Sequence, residues 1–317
     1  WRKPPRDEGI SCVIRCLDEA EWIRLGILSI LDFADEIIVV DCGSTDGSLE
    51  LVRRLKEDAG IAKLHLHTGP AVDGVKVTLA DLNNYAFGLA TRSWIFKWDA
   101  DFIARTDQAY SILELKELWG RTRDRLDVFR LEGPNLWGDH RHCWYRPDKG
   151  RDFCSENYLW RNRGWKVRQG SRNEKLKLRA HRRRLRIGPM ADPAERRVFF
   201  YHMMALKPDR RVAHRNMLFE WFAYCGRRRR PELTMEEWRA RRWGTGDPEE
   251  QRRRCLAELL ASPNLRPFDK VGGGWGDYPT LLRPYLQNPR YEIVYRDGKP
   301  HHRVTHADRP IPLPALA

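Results

Sequence analysis

The run Glu36-Ile-Ile-Val-Val-Asp41 constrains this chain more than any other feature. A strand that is apolar at every interior position needs cover on both faces, which is the habit of parallel sheets sandwiched between helices. The run closes on a carboxylate and passes through Gly43-Ser-Thr-Asp-Gly47 into helical text from Ser48 to Ala59. The pattern repeats on either side. Ile10 to Ile14 is a short β-rich run, and Glu21 to Phe33 carries Trp22, Ile23, Ile27, Leu28, Ile30 and Leu31 at helical spacing. Lys63 to His67 reads as a third strand, Asp81 to Ala90 as a helix, and Ser93 to Trp98 as a fourth strand ending on acids. Strands alternating with helices predict an α/β fold with parallel strands and right-handed crossovers. Such sheets bind ligands at the carboxyl ends of their strands. Asp41, Asp99 and Asp101 all fall there.

Residues 127 to 222 are less regular and rich in Trp, Arg and His. The character changes after Gly226. Arg227 to Arg230 leads through Pro231 into two helical stretches, Thr234 to Trp243 and Pro248 to Leu260. Gly272 to Gly274 interrupts the chain, and Tyr291 to Tyr295 with His301 to Thr305 predict a hairpin around Asp297-Gly298. The expected division is an α/β domain over 1–222 and a basic, mostly helical appendage over 223–317 with that terminal hairpin.

The net charge is +14, and arginine outnumbers lysine 45 to 13. A GC-rich genome accounts for such a bias, and so does a polyanionic partner: nucleic acid, anionic lipid or a donor's phosphates. The seven cysteines are odd in number and include no CxxC pair, so neither a disulfide framework nor a zinc site is indicated. No run of 18 apolar residues is present, so no transmembrane segment is expected. Trp1 to Glu8 lacks the apolar stretch of a signal peptide. The expected location is the cytoplasm, or the surface of an anionic membrane facing it.

Two motifs carry chemistry. In Trp94-Ile-Phe-Lys-Trp-Asp99-Ala-Asp101, two carboxylates one residue apart follow a buried strand and can aim at one cation. Oxygen ligands favour Mn²⁺ or Mg²⁺, which bridge a diphosphate and neutralise charge on a leaving nucleotide. In Val39 to Ser48, Asp41 can accept hydrogen bonds from a base or ribose, and Ser44 or Thr45 can cap a helix whose N-terminus favours anions. Either motif alone reads as readily as a solvated turn or a plain strand–turn–helix.

Together and in this order they resemble glycosyltransferase family 2. Arg15-Cys-Leu-Asp18-Glu19-Ala-Glu-Trp22-Ile23 is similar to that family's first strand and turn, with Asp18 where Asn is usual. Asp35 to Gly47 is a close match. Asp81 to Trp94 resembles a later stretch of the family, with Asn83 in place of an Arg, so that Lys76 or Arg92 is left to meet the donor phosphate. Phe102 replaces a Glu. Farther on, Asn157 to Asn162, Asn173-Glu174 and Phe199-Phe-Tyr-His202 resemble family segments, and the likeness covers roughly residues 10 to 222.

The resemblance implies a GT-A fold, Rossmann-like with a mostly parallel sheet flanked by helices, and an inverting, metal-dependent transfer from a nucleotide-sugar, a UDP-sugar first. It places Asp18, Asp41, Ser44, Asp99 and Lys76 on the donor nucleotide and Asp99, Asp101 and His202 on the metal. An inverting reaction needs a carboxylate to take the acceptor's proton. Glu174 is the first candidate, then Glu156, with Asp139 and Asp152 behind. Trp137, Trp144, Trp160 and Trp165 are stacking surfaces or core. The expected acceptor is a cell-surface glycan or lipid first; hydroxymethylated bases of DNA, suggested by charge, come second, and a protein or small molecule third. Within the same fold, a nucleotidyltransferase would want a Gly-rich basic loop that Arg15 to Glu21 lacks. A non-catalytic nucleic-acid-binding protein is the competing reading of another class.

Overall fold

The computed structural model describes residues 6–73, 76–145, 153–164, 166–169, 174–177, 186–187, 198–227, 232–268 and 277–305. Its front is the predicted alternation. Strands β1 (Asp7–Cys16), β2 (Glu36–Asp41), β3 (Leu64–Thr68) and β4 (Arg92–Asp99) pair in parallel in the order β3-β2-β1-β4. Helices α1 (Ile23–Leu28), α2 (Ser48–Glu57) and α3 (Leu79–Leu89) connect them. Every residue of β2 is buried, and its side chains divide by parity. Ile37 and Val39 join a core with α1, α2 and α4 (Ile112–Thr122), whereas Ile38 and Val40 join a second core under α3. Cover on two faces is what an unbroken apolar strand requires.

The expected helix from Glu21 to Phe33 is shorter in the structure. After Leu28 the chain tightens into i→i+3 bonds, Ile30 N to Ile27 O and Leu31 N to Leu28 O. Ser29 Oγ also donates to Gly26 O, a local bond that competes with helix continuation.

Residues 127 to 222, irregular by sequence, supply much of the remaining sheet. β6 (Val128–Trp137), β7 (Asp139–Trp144) and β8 (Phe153–Arg161) extend it beyond β4 through antiparallel pairs. β5 (Phe102–Ala104) and β11 (Phe200–Ala205) pair antiparallel, and β11 also runs parallel to β6. β9 (Lys166–Gln169) and β10 (Glu174–Lys177) form a small separate ribbon.

Farther along, α5 (Asp209–Arg227) runs unbroken through the boundary expected at residue 222. α6 (Met235–Trp243) and α7 (Pro248–Leu260) follow, both capped by side chains at their N-termini. β12 (Leu265–Pro267) joins the edge of the main sheet against β7, and α8 (Arg283–Gln287) packs Tyr285 edge-on against Trp22. The hairpin appears as β13 (Tyr291–Arg296) and β14 (Lys299–Val304). Fully buried Asp139 holds it to the sheet by accepting from Ile293 N at 2.9 Å.

Candidate active site

The ends of β1, β2 and β4 make the rim. Arg15 lies beside Val40 in one ladder and Asp99 in the other, and Cys16 lies beside Asp41. One strand therefore separates Asp41 from Asp99, a span of about 10 Å at ordinary sheet spacing. Asp41 is buried; its Oδ2 accepts from Gly43 N at 3.1 Å and Ser44 N at 3.2 Å. Its Oδ1 is buried with no hydrogen-bond partner among the described residues. A buried carboxylate oxygen without a donor is costly, so it calls for one from outside.

Asp18 meets the rim from the β1–α1 turn. Its φ of +52° is left-handed, a conformation that Asn and Asp tolerate better than most side chains. Asp18 Oδ1 accepts from Thr45 N at 2.6 Å, and Asp18 N donates to Ser44 Oγ at 2.9 Å. Asp46 receives Ala20 N at 2.9 Å, and Ser48 Oγ receives Glu19 N at 2.7 Å. The two turns are thus locked together. Asp18 and Ser44, both expected on the nucleotide, are engaged here, the Asp18 carboxylate by Thr45 and the Ser44 hydroxyl by the Asp18 amide.

Asp99 and Asp101 diverge. Asp99 Oδ1 faces Arg15 Nη2 at 3.4 Å and Lys97 Nζ at 3.8 Å. Asp101 turns the other way and is buried. Its backbone oxygen accepts from Met203 N at 2.9 Å, which ties the turn to β11. Opposite β5 lies His202, whose ring approaches Asp101 Oδ2 with Nε2 at 3.4 Å. His202 Nδ1 donates to Asn135 Oδ1 at 2.7 Å, because an amide oxygen can only accept. That bond leaves Nε2 to face Asp101, as a donor to the carboxylate when the ring is protonated and as a lone pair for a cation when it is not.

Asp101 and His202 Nε2 stand about as far apart as two adjacent ligands of one small divalent cation, each about 2.1 Å from it. They would fit such an ion as a two-residue cradle, although Asp101 Oδ2 is also held by Lys207 at 2.8 Å. Among the described residues no group of three or more His, Cys, Asp or Glu converges for a metal, and Asp99 is paired elsewhere.

Beneath the cradle is a buried ion cluster that the sequence reading missed. Lys207 Nζ lies 2.8 Å from Asp101 Oδ2 and 2.6 Å from Glu19 Oε2, and its side chain is 1% exposed. Arg211 donates to Asp18 O at 2.9 Å, also to Leu17 O, and stands 3.4 Å from Glu19 Oε1. Burial works to raise the Asp101 pKa, but the Lys207 ammonium and His202 hold it well below the usual carboxylate range. Burial raises that of Glu19, against the pull of Lys207 and Arg211. The Asp18-Glu19 pair was visible in the sequence, but its partner 188 residues away was not.

The remaining expected residues separate. Lys76 is exposed in the β3–α3 loop, its amide bonded to Asp73 Oδ1. Arg92 starts β4 and pairs with Asp7, about 23 Å along the strand from Asp99, so it cannot meet a donor phosphate at this rim. Asn83 is fully enclosed on the buried face of α3. Glu156 and Glu174 are in β8 and β10, opposite Leu131 and Gln169, and their side chains lie outside the described residues, as does Asp152. Asp139 is a structural anchor, bound by His142 Nδ1 at 2.7 Å, Arg141 N and Ile293 N. Trp137 and Trp160 are core, 4% and 2% exposed; Trp165 lies outside the described residues.

The family model for Glycosyl transferase family 2 matches residues 11–231. No curated protein matches the chain. Solved structures with partial likeness include TarS 1–349 of S. aureus, 14% identical over 96% of this chain and 99% of that one, with a TM-score of 0.39. A second is the mannosyltransferase PcManGT of Pyrobaculum calidifontis in complex with GDP-Man and Mn²⁺, 22% identical over 43% of this chain with a TM-score of 0.32. A third is glucosyl-3-phosphoglycerate synthase of Mycobacterium tuberculosis with Mn²⁺, UDP and glucosyl-3-phosphoglycerate, 18% identical over 45% of this chain with a TM-score of 0.30. The chain spans 39% of the mannosyltransferase and 46% of the synthase. The match over residues 11–231, on a fold whose parallel strands end in the acids described above, shows that the chain belongs to glycosyl transferase family 2.

Proposed function

We propose that this protein transfers a sugar from a nucleotide-sugar, a UDP-sugar first, to a hydroxyl acceptor with inversion. The observation that carries the reading is Asp41 Oδ1, a buried acceptor without a donor among the described residues, at the end of a central parallel strand. A pyrimidine N–H or a ribose hydroxyl would satisfy it. Arg15 and Lys97 place positive charge beside Asp99 on the neighbouring strand end, where a diphosphate would lie.

A bound Mn²⁺ or Mg²⁺ would neutralise charge on the departing diphosphate. Asp101 and His202 would hold it. Lys207 keeps Asp101 ionised, and Asn135 fixes the His202 tautomer. The base that takes the acceptor's proton is proposed to be Glu174, with Glu156 second.

The acceptor is proposed to be a glycan or lipid hydroxyl. The charge that suggested DNA is in part internally spent. Arg252, Arg253 and Arg254 pair with Glu249 and Glu250 of their own helix, and Arg242 bridges Glu220 and Glu258. No helix among the described residues is long and apolar enough to cross a membrane.

The test is UDP release from a panel of UDP-, GDP- and dTDP-sugars with Mn²⁺, using wild type and Asp101→Asn. Release from one donor class, lost by at least about a hundredfold in Asp101→Asn with the fold intact, is expected. Equal turnover in the variant would refute the assignment.

A further inference from the structure

Adjoining the donor rim, the β1–α1 turn, Thr45 and Asp46 and helices α5, α6 and α7 line a cavity of about 400 Å³. Asp41, Asp99, Asp101 and His202 do not line it. Arg210, Arg211 and His214 reach it from α5, Arg239 from α6 and Arg252 from the second turn of α7.

Three carboxylates also border the cavity, and each is already engaged. Asp18 accepts from Thr45, Asp46 from Ala20 and Ser48, and Glu21 holds the Tyr291 hydroxyl at 3.0 Å and Arg290 at 3.6 Å. Arg239 is the opposite case. Its Nε and Nη2 are buried and have no hydrogen-bond partner among the described residues. Burial lowers its pKa, and no carboxylate opposes the shift. Burial likewise lowers the pKa of His214, helped by Arg211, Arg239 and Arg252 and opposed by Asp18. A desolvated guanidinium without an acceptor is expensive, and an anion resolves it with charge-assisted bonds. The N-terminal ends of α5 and α7 both border the space, so their helix dipoles add the same sign of potential.

We propose that this cavity is a phosphate-ester site, beside the donor rim and distinct from its Asp41 and Asp101 ends, in which Arg239 grips the phosphate, Arg252 turns to it from its pairing with Glu249, and Arg210 guards the mouth. The guanidinium fork matches phosphate oxygens in pairs. The volume falls at the lower end of pockets that take small organic molecules, roughly 300–1,000 Å³, so the phosphate can carry a group of sugar size.

Calorimetry on the whole chain in EDTA, titrating inorganic phosphate, glucose 6-phosphate and glucose, tests this. Both phosphates should bind and glucose should not. Arg239→Gln and Arg252→Gln should each weaken phosphate binding by about tenfold or more, while UDP affinity with Mn²⁺ stays within about twofold. Vesicles of phosphatidylcholine with and without phosphatidic acid form the second arm. Phosphatidic-acid-dependent binding that is lost in Arg239→Gln identifies the ester as a lipid headgroup and supports the site. Absence of binding in both arms overturns the proposal. So does phosphate binding that survives both substitutions, or variants that keep their melting temperature yet lose UDP and phosphate together, which would merge the cavity with the donor site.

Discussion

At the scale of single residues, the site rests on two kinds of buried charge. Asp41 keeps one oxygen unmatched among the described residues, whereas Asp101 is paired with Lys207 and faces His202. Removing Lys207 would leave Glu19 and Asp101 facing one another without their shared cation. Breaking a buried pair on one side costs about 3–5 kcal/mol, so Lys207→Gln should lower the denaturant midpoint by a corresponding amount at neutral pH. The pH dependence has a definite sign. Asp101 has its folded pKa held below the usual value, so the stability it contributes is present above the ordinary carboxylate range. That contribution is lost as pH falls below about 4 toward the depressed folded value. In Lys207→Gln the acid limb attributable to Asp101 should shrink; an unchanged acid melting profile would contradict the pairing. Little of this was legible beforehand. Asp41 and Asp101 announce themselves by standing at the ends of apolar runs, but Glu19, Asn135 and Lys207 meet only through the fold.

At the scale of elements, α1 controls where the Asp99–Asp101 turn lies. A Cβ on Gly26 would come within 2.8 Å of Ala100 O and 3.2 Å of Phe102 O, and Trp98 Nε1 donates to Gly26 O at 3.2 Å. Backbone against backbone cannot yield as a flexible side chain can. Gly26→Ala should therefore cost about 1–3 kcal/mol and weaken metal-dependent UDP binding, since the displaced turn carries Asp101. Wild-type UDP affinity in that variant would show that the turn is positioned from elsewhere. The hairpin β13–β14 depends in the same way on Asp139, which accepts from three donors with no exposure. Asp139→Asn should cost about 1–3 kcal/mol and speed amide exchange at Ile293 and its strand neighbours. Elements with a strong local signature were readable: β2 ends where its apolar run ends, and α7 begins at Pro248 after its Asp247 cap. α4 was passed over although Ser111 and Glu114 form a capping box that the sequence spells out. The antiparallel strands β6 to β8 gave no alternation to read, because β6 is buried at eight of its ten positions and β7 is rich in His and Trp.

At the scale of the whole molecule, the chain sets an acid-lined rim on parallel strands against a surface of net charge +14. Paired arginines on α7 mean that this charge acts as a diffuse field more than as a docking face, and diffuse attraction is screened by salt. Binding to duplex DNA should fall steeply between 50 and 200 mM salt, roughly a thousandfold if six phosphates are engaged, and remain indifferent to UDP. The central claim concerns the rim, and one measurement reaches it directly: calorimetric affinity for UDP with saturating Mn²⁺ in wild type and Asp41→Asn. The isosteric amide keeps the bonds to Gly43 and Ser44 within reach but removes the charge and half the acceptor capacity. The account predicts that UDP binds the wild type and that the variant, with its melting temperature unchanged, binds at least about tenfold more weakly. Equal affinity in the two proteins would place the nucleotide elsewhere and contradict the account.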